Sequence, residues 1–174
     1  MIASTELAFR AQLVIPEQRD LYDYWRGLCD EEKLPSRSDI KPSDFPKLLP
    51  SISLIDVEGN GRFKVRLAGT RLRDFYAKEL TGKYLDELGW EAKEAYWTSA
   101  YQRVIEACRP AQGIVRGPRH DNDHIVQFWL RLPLASDGAT VTMILCYDAF
   151  VPLAKASAIT DNWDEPTVRY FDSA

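Results

Sequence analysis

RFKVRLAGTRLRDFYAKELTGKYLDEL, residues 62–88, is the stretch from which the fold can be read. Phe63, Val65 and Leu67 alternate with Lys64 and Arg66, the period-two pattern of a strand with one buried face. After Gly69 the period changes. Leu72, Phe75, Tyr76, Glu79 and Leu80 recur at three and four residues, the spacing of an amphipathic helix, and Gly82 supplies a stop signal. A strand that turns directly into a short helix makes a corner, whose inner wall is expected to hold Phe63, Val65, Leu67 and Tyr76.

Upstream, SISLIDVE at 51–58 reads as a second strand, and Glu58-Gly-Asn-Gly61 as the turn that joins the two into a hairpin. Before it, residues 34–50 carry Pro35, Pro42, Pro46 and Pro50, which rules out one regular helix and predicts an ordered connector with a single turn near Ser43–Leu49. Leu21, Tyr24, Trp25, Leu28 and Cys29 form one apolar stripe on a helix over 17–32, with Pro16 suited to its start. That stripe must bury itself on its own domain or on a second copy. Leu21, Tyr24, Trp25 and Leu28 are accordingly a candidate dimer interface, since Tyr and Trp are enriched at such surfaces. Residues 1–15 show no clean period and are expected to be a mobile arm or an accessory strand.

Downstream, Trp97, Ala100, Tyr101, Val104, Ile105 and Cys108 place a long amphipathic helix over 91–108, ended by Arg109-Pro110. Three strands follow, at about 111–118, 124–134 and 140–150, linked by the turn signals Asp121-Asn122-Asp123 and Ser136-Asp137-Gly138. Val126, Phe128, Leu130 and Leu132 share a face of the middle strand, and Val141, Met143, Leu145, Tyr147 and Ala149 a face of the last. Both faces are expected to line one concave surface. This order predicts an α+β domain: a five-stranded antiparallel sheet with helices covering one face, plus an N-terminal amphipathic helix. It divides the chain into an arm and helix (1–33), the main domain (34–152) and a tail (153–174).

Composition narrows the function classes. The chain has 174 residues, 45% of them hydrophobic, which predicts a folded protein. A formal net charge of −4 without a Lys/Arg block disfavours direct nucleic-acid binding. Glu6 and Arg10 interrupt the N-terminal apolar run, so neither a signal-peptide core nor a membrane span fits, and a cytoplasmic location follows as the expectation. Cys29, Cys108 and Cys146 are odd in number and far apart, which reads as reduced core thiols.

The element order, together with LPSRSDIKPSDFPKLLPSISLIDVE and RFKVRLAGTRLRDFYAKELTGKYLDEL, resembles a bacterial family of small PAS-domain proteins in which the domain makes up most of the chain; the resemblance covers residues 20–150. It implies a sensory or regulatory role, a pocket between sheet and helices that holds a small molecule, and flanking helices that dimerise or contact a signalling protein. It implies no particular cofactor, and the cofactor stays unassigned. Flavin photosensors of this fold use a Cys in an Asn-Cys-Arg context, and residues 71–90 contain no Cys; haem-binding members use a His on the long helix, and residues 91–108 contain none.

Phe63, Tyr76, Trp97, Tyr101, Phe128 and Tyr147 are the candidate pocket residues, because Tyr and Trp present an apolar body with a polar tip. The same spacing is expected of a filled core. His120 and His124 flank the acidic turn at 121–123, a weak metal signal for want of further ligands, and no metal site is assigned. Arg116 and Arg119 either meet an anion at the pocket mouth or are solvated. Asp56, Asp86 and Glu87 supply acid/base groups that no sequence feature brings together, and no catalytic motif is present. The reading is a non-catalytic sensory domain whose output passes through another protein or a second copy. Its alternatives are a small cone-shaped α+β enzyme with an acid/base pocket and a structural adaptor with a filled core.

Overall fold

Strand pairing sets the architecture. In the computed structural model, β1 (Ile52–Val57), β2 (Phe63–Ala68), β3 (Ala111–Arg116), β4 (Ile125–Leu134), β5 (Met143–Pro152) and β6 (Thr167–Tyr170) form one antiparallel sheet in the order β2-β1-β5-β4-β3-β6. The structure describes residues 2–31, 33–90, 93–117, 124–161 and 167–170, the first three and last four of these by backbone alone. The five strands expected from the sequence are all present. The sixth comes from the tail and pairs with β3.

The corner is built as its sequence suggests, with two corrections. Gly69 donates its N–H to Ile52 O at 2.7 Å and sits so close to the Pro46–Ser51 turn that an added Cβ would collide with the Leu49 and Pro50 carbonyls. Only glycine fits there, and the chain turns at once into α3 (Thr70–Tyr76). This helix ends six residues before Gly82, because Ala77 takes the left-handed cap conformation (φ 53°). The freed segment folds back along the outer edge of β2, where Val65 N–H bonds Lys83 O and Gly82 N–H bonds Val65 O. The second correction is Leu67. The β1–β2 register shifts between Leu54 and Ile55, so Leu54 faces Leu67 while Ile55 faces Val65. One extra residue in β2 flips its alternation, and Leu67 leaves the inner wall for a surface where it is 48% exposed.

The sheet buries both faces. One carries α3 and α4 (Glu94–Ala107), with Trp97, Ala100, Tyr101 and Val104 of α4 packed inward. The other carries α1 (Ile2–Ala11) and α2 (Pro16–Leu28). The first is a correction to the arm or strand expected over 1–15. Its inward side chain is Phe9, followed past the helix end by Leu13, while Leu7 faces solvent, so no helical stripe is written in the sequence. Arg10–Asp23 (2.7 Å) and Arg26–Glu6 (2.6 Å) tie α1 to α2. Of the candidate dimer stripe, Leu21 and Trp25 are in the intramolecular core, Tyr24 and Leu28 pack against it, and Trp25 Nε1 donates to Pro133 O at 3.0 Å. In the tail, α5 (Leu153–Ile159) starts where Leu153 N–H meets His124 O, and it buries Ala156. No described helix is long and apolar enough to cross a membrane.

Candidate functional site

The apolar residues of β4 and β5 that the sequence assigns to the pocket face α1 and α2 instead. Phe128 and Tyr147 belong, with Val126, Leu130, Leu132 and Leu145, to the core on that side. They lie on the face turned away from α3 and α4. The physical reason is the strand period: the opposite face of the same strands presents Gln127, Trp129 and Arg131 on β4, and Ile144, Cys146 and Asp148 on β5. This face, under α3 and α4, holds the polar groups.

Because Trp129 pairs with Asp148 and Arg131 with Cys146, the guanidinium and the carboxylate are diagonal neighbours. Arg131 Nη2 donates to Asp148 Oδ1 at 2.9 Å and Nη1 to Oδ2 at 3.2 Å. Nη1 also reaches Leu130 O and Tyr147 O, at 3.0 and 3.3 Å. Gln127 Nε2 donates to Asp148 Oδ1 at 2.7 Å. The two charged side chains are 3% and 1% exposed. Around Arg131 Cζ the rings of Trp97, Tyr101 and Trp129 lie with centroids at 5.4, 5.2 and 5.3 Å, an aromatic collar for the cation. Trp129 is fixed in turn by its Nε1–H bond to Tyr96 Oη at 2.8 Å.

Burial opposes the guanidinium's charge, yet the Asp148 carboxylate more than offsets it and holds Arg131 firmly protonated. The Tyr101 hydroxyl is pushed well above its ordinary value, and burial pushes the Cys146 thiol up to about 11. At neutral pH the cluster therefore holds one ion pair among neutral groups.

Next to this pair lies a cavity of about 30 Å³, floored by Gln127, Arg131 and Asp148 and walled by Tyr76, Trp90, Trp97 and Tyr101. Leu72, Leu80, Leu85 and Leu88 close it from the α3 side. Among the described residues six buried side-chain polar atoms have no hydrogen-bond partner, and four belong to cavity residues: Trp90 Nε1, Trp97 Nε1, Gln127 Oε1 and Arg131 Nε. The other two, Gln18 Nε2 and Tyr22 Oη, belong to α2 on the opposite face. A buried polar group left unsatisfied costs about 1–3 kcal/mol, and four such atoms on residues that line one small space give it a polar character.

Of the sequence-assigned pocket residues, Tyr76, Trp97 and Tyr101 come together at this cavity. Phe63 stands behind them, its ring 5.3 Å from that of Tyr101. Gln127, Arg131 and Asp148 were missed. Their signal was a Gln, an Arg and an Asp at even spacing within strands otherwise apolar, where each polar side chain must enter the core.

The acid/base candidates stay apart. Asp56 pairs with Arg66 at 3.0 Å, and Asp86 and Glu87 with Arg62 at 2.6 and 3.3 Å. His120, Arg119 and the turn at 121–123 lie outside the described residues; His124 is described, and no group of three metal-ligating side chains occurs among the described residues. The Arg116 and Gly117 carbonyls are gripped by Lys93 Nζ.

A family model described as a PAS domain matches residues 14–147. No curated protein matches the chain. Among solved structures, an RNA-binding light-oxygen-voltage receptor superposes with a TM-score of 0.50 at 16% identity, over 72% of this chain and 38% of that one. The likeness is one of fold.

Proposed function

Because the chain belongs to the PAS-domain family, we propose that it is a sensory module of signalling without a catalytic step of its own, which binds a small molecule in the Arg131–Asp148 cavity and reports occupancy to a protein partner. The observation that carries this reading is the convergence of four unpartnered buried polar atoms on residues of one cavity. The non-catalytic half is supported by the same hydrogen bonds. Asp148 Oδ1 accepts from both Gln127 and Arg131, and Oδ2 from Arg131, so the carboxylate is tied down as an acceptor rather than poised as a base. The RNA binding of the structural neighbour is not carried over: a net charge of −4 gives no footprint for a phosphate backbone.

The size of the cavity, about 30 Å³, is the observation on the side of a filled-core adaptor. The two readings separate in thermal denaturation against a panel of small metabolites. A ligand at a hundred times its dissociation constant stabilises the native state by about 2.7 kcal/mol, which for a chain of this size raises the melting temperature by roughly 5–11 °C. The sensory reading expects at least one such compound, with its shift lost in Gln127→Leu. A panel without shifts, or shifts equal in wild type and variant, would support the adaptor.

A further inference from the structure

The unpartnered atoms also define the chemistry of the ligand, an inference that rests on the cavity being the binding site. Three are donors, Arg131 Nε, Trp90 Nε1 and Trp97 Nε1, and one is an acceptor, Gln127 Oε1. The Gln127 amide orientation is fixed by its neighbour: a carboxylate oxygen accepts only, so the nitrogen must face Asp148 Oδ1 at 2.7 Å and the oxygen is the free end. Charge is already balanced, because Asp148 neutralises Arg131 through two hydrogen bonds inside a site that is almost fully buried. An anion there would stand beside the Asp148 carboxylate and a cation beside the Arg131 guanidinium, each without a counterion of its own. An uncharged ligand meets neither difficulty.

We propose that the cavity recognises a compact, uncharged amide. Its carbonyl oxygen accepts from the N–H groups of Arg131 and the two indoles, and its own N–H donates to Gln127 Oε1. The aromatic walls of Tyr76, Trp90, Trp97 and Tyr101 suit the flat shape of the group. A volume of about 30 Å³ is space for roughly two waters, close to the size of the amide head. An amide thereby supplies both polarities that the four atoms lack, in one planar unit and without introducing charge.

The test is a titration of the full chain, labelled with nitrogen-15 at its tryptophan indoles, with acetamide, and with acetate and methylguanidinium as charged probes of similar size. Acetamide is expected to shift the Trp90 and Trp97 indole resonances saturably. Loss of one hydrogen bond should weaken it about three- to tenfold in Gln127→Leu and in Trp97→Phe, the second read at Trp90 alone. Trp97→Phe keeps an aromatic ring in place, so it covers the case in which the glutamine variant does not fold. If acetate or methylguanidinium shifts these resonances at equal or lower concentration than acetamide, the amide assignment falls and the cavity remains a ligand site. If no probe shifts them, both fall. Acetamide shifts that survive unchanged in both variants place binding elsewhere and overturn the proposal.

Discussion

Replacing Asp148 with alanine probes the account at its most exposed joint. The carboxylate accepts two hydrogen bonds from Arg131 and one from Gln127, and the pair is 3% and 1% exposed. Without it, a guanidinium stays in the core with its two carbonyl contacts and no counterion. Removing one partner of a buried pair costs about 3–5 kcal/mol, because the stranded charge keeps its desolvation penalty. At roughly 2–4 °C per kcal/mol for a protein of this length, the melting temperature should fall by about 6–20 °C. The double variant Arg131→Met/Asp148→Leu removes both charges and fills their space, and it should recover most of the loss. The exposed pair Arg62–Asp86 is the internal control: solvent screens it, and Asp86→Ala should barely move the transition. Calorimetry or circular dichroism on wild type and the three variants reads the comparison. Asp148→Ala melting within a degree or two of wild type, or a double variant less stable than Asp148→Ala, would refute this.

Gly69→Ala should lower stability by about 1–3 kcal/mol, because the new methyl would press on backbone rather than on a movable side chain; an unchanged denaturant midpoint would mean that the turn at Pro46–Ser51 is not seated against α3. Asp137 accepts from the Ala139 and Thr140 backbone N–H groups, which hold its carboxyl down to about 2 from an ordinary 3.8. A lowered folded value stabilises above the unfolded one and is lost as pH falls through the folded one, so Asp137→Ala should be less stable than wild type at neutral pH and the gap should close between about pH 4 and pH 2. A gap that is constant down to pH 2 would contradict this. Burial pushes the Cys146 thiol up to about 11, so native protein at pH 8 should leave Cys146 unlabelled by a thiol reagent until denatured, as peptide mass spectrometry would show; labelling at the rate of an exposed thiol would contradict the packing of β5 under α4.

Much of this was legible because periodicity reports burial. The alternation of Phe63 and Val65, the helical stripe around Trp97 and the turn glycines all describe local geometry, and the elements they predict are present within a few residues. What was lost depended on the other side of the sheet. β4 and β5 are buried on both faces, so their apolar residues do not announce which helices they meet. The greasier face, with Phe128 and Tyr147, lies under α1 and α2, while the face under α3 and α4 carries Gln127, Arg131 and Asp148. Leu67 was misplaced by a single inserted residue, which period-two reading cannot see. α1 stayed hidden because Leu7 points outward and little more than Phe9 marks its inner face. For the helices the deciding contact lies far away in sequence, as with Trp25 and Pro133.

Native mass spectrometry of the freshly purified chain, beside Arg131→Met/Asp148→Leu, reads out whether the cavity carries a ligand. The wild type is expected to carry a small adduct which leaves on denaturation and which the double variant lacks. A wild type that flies at its bare polypeptide mass, or an adduct carried equally by the double variant, would contradict it.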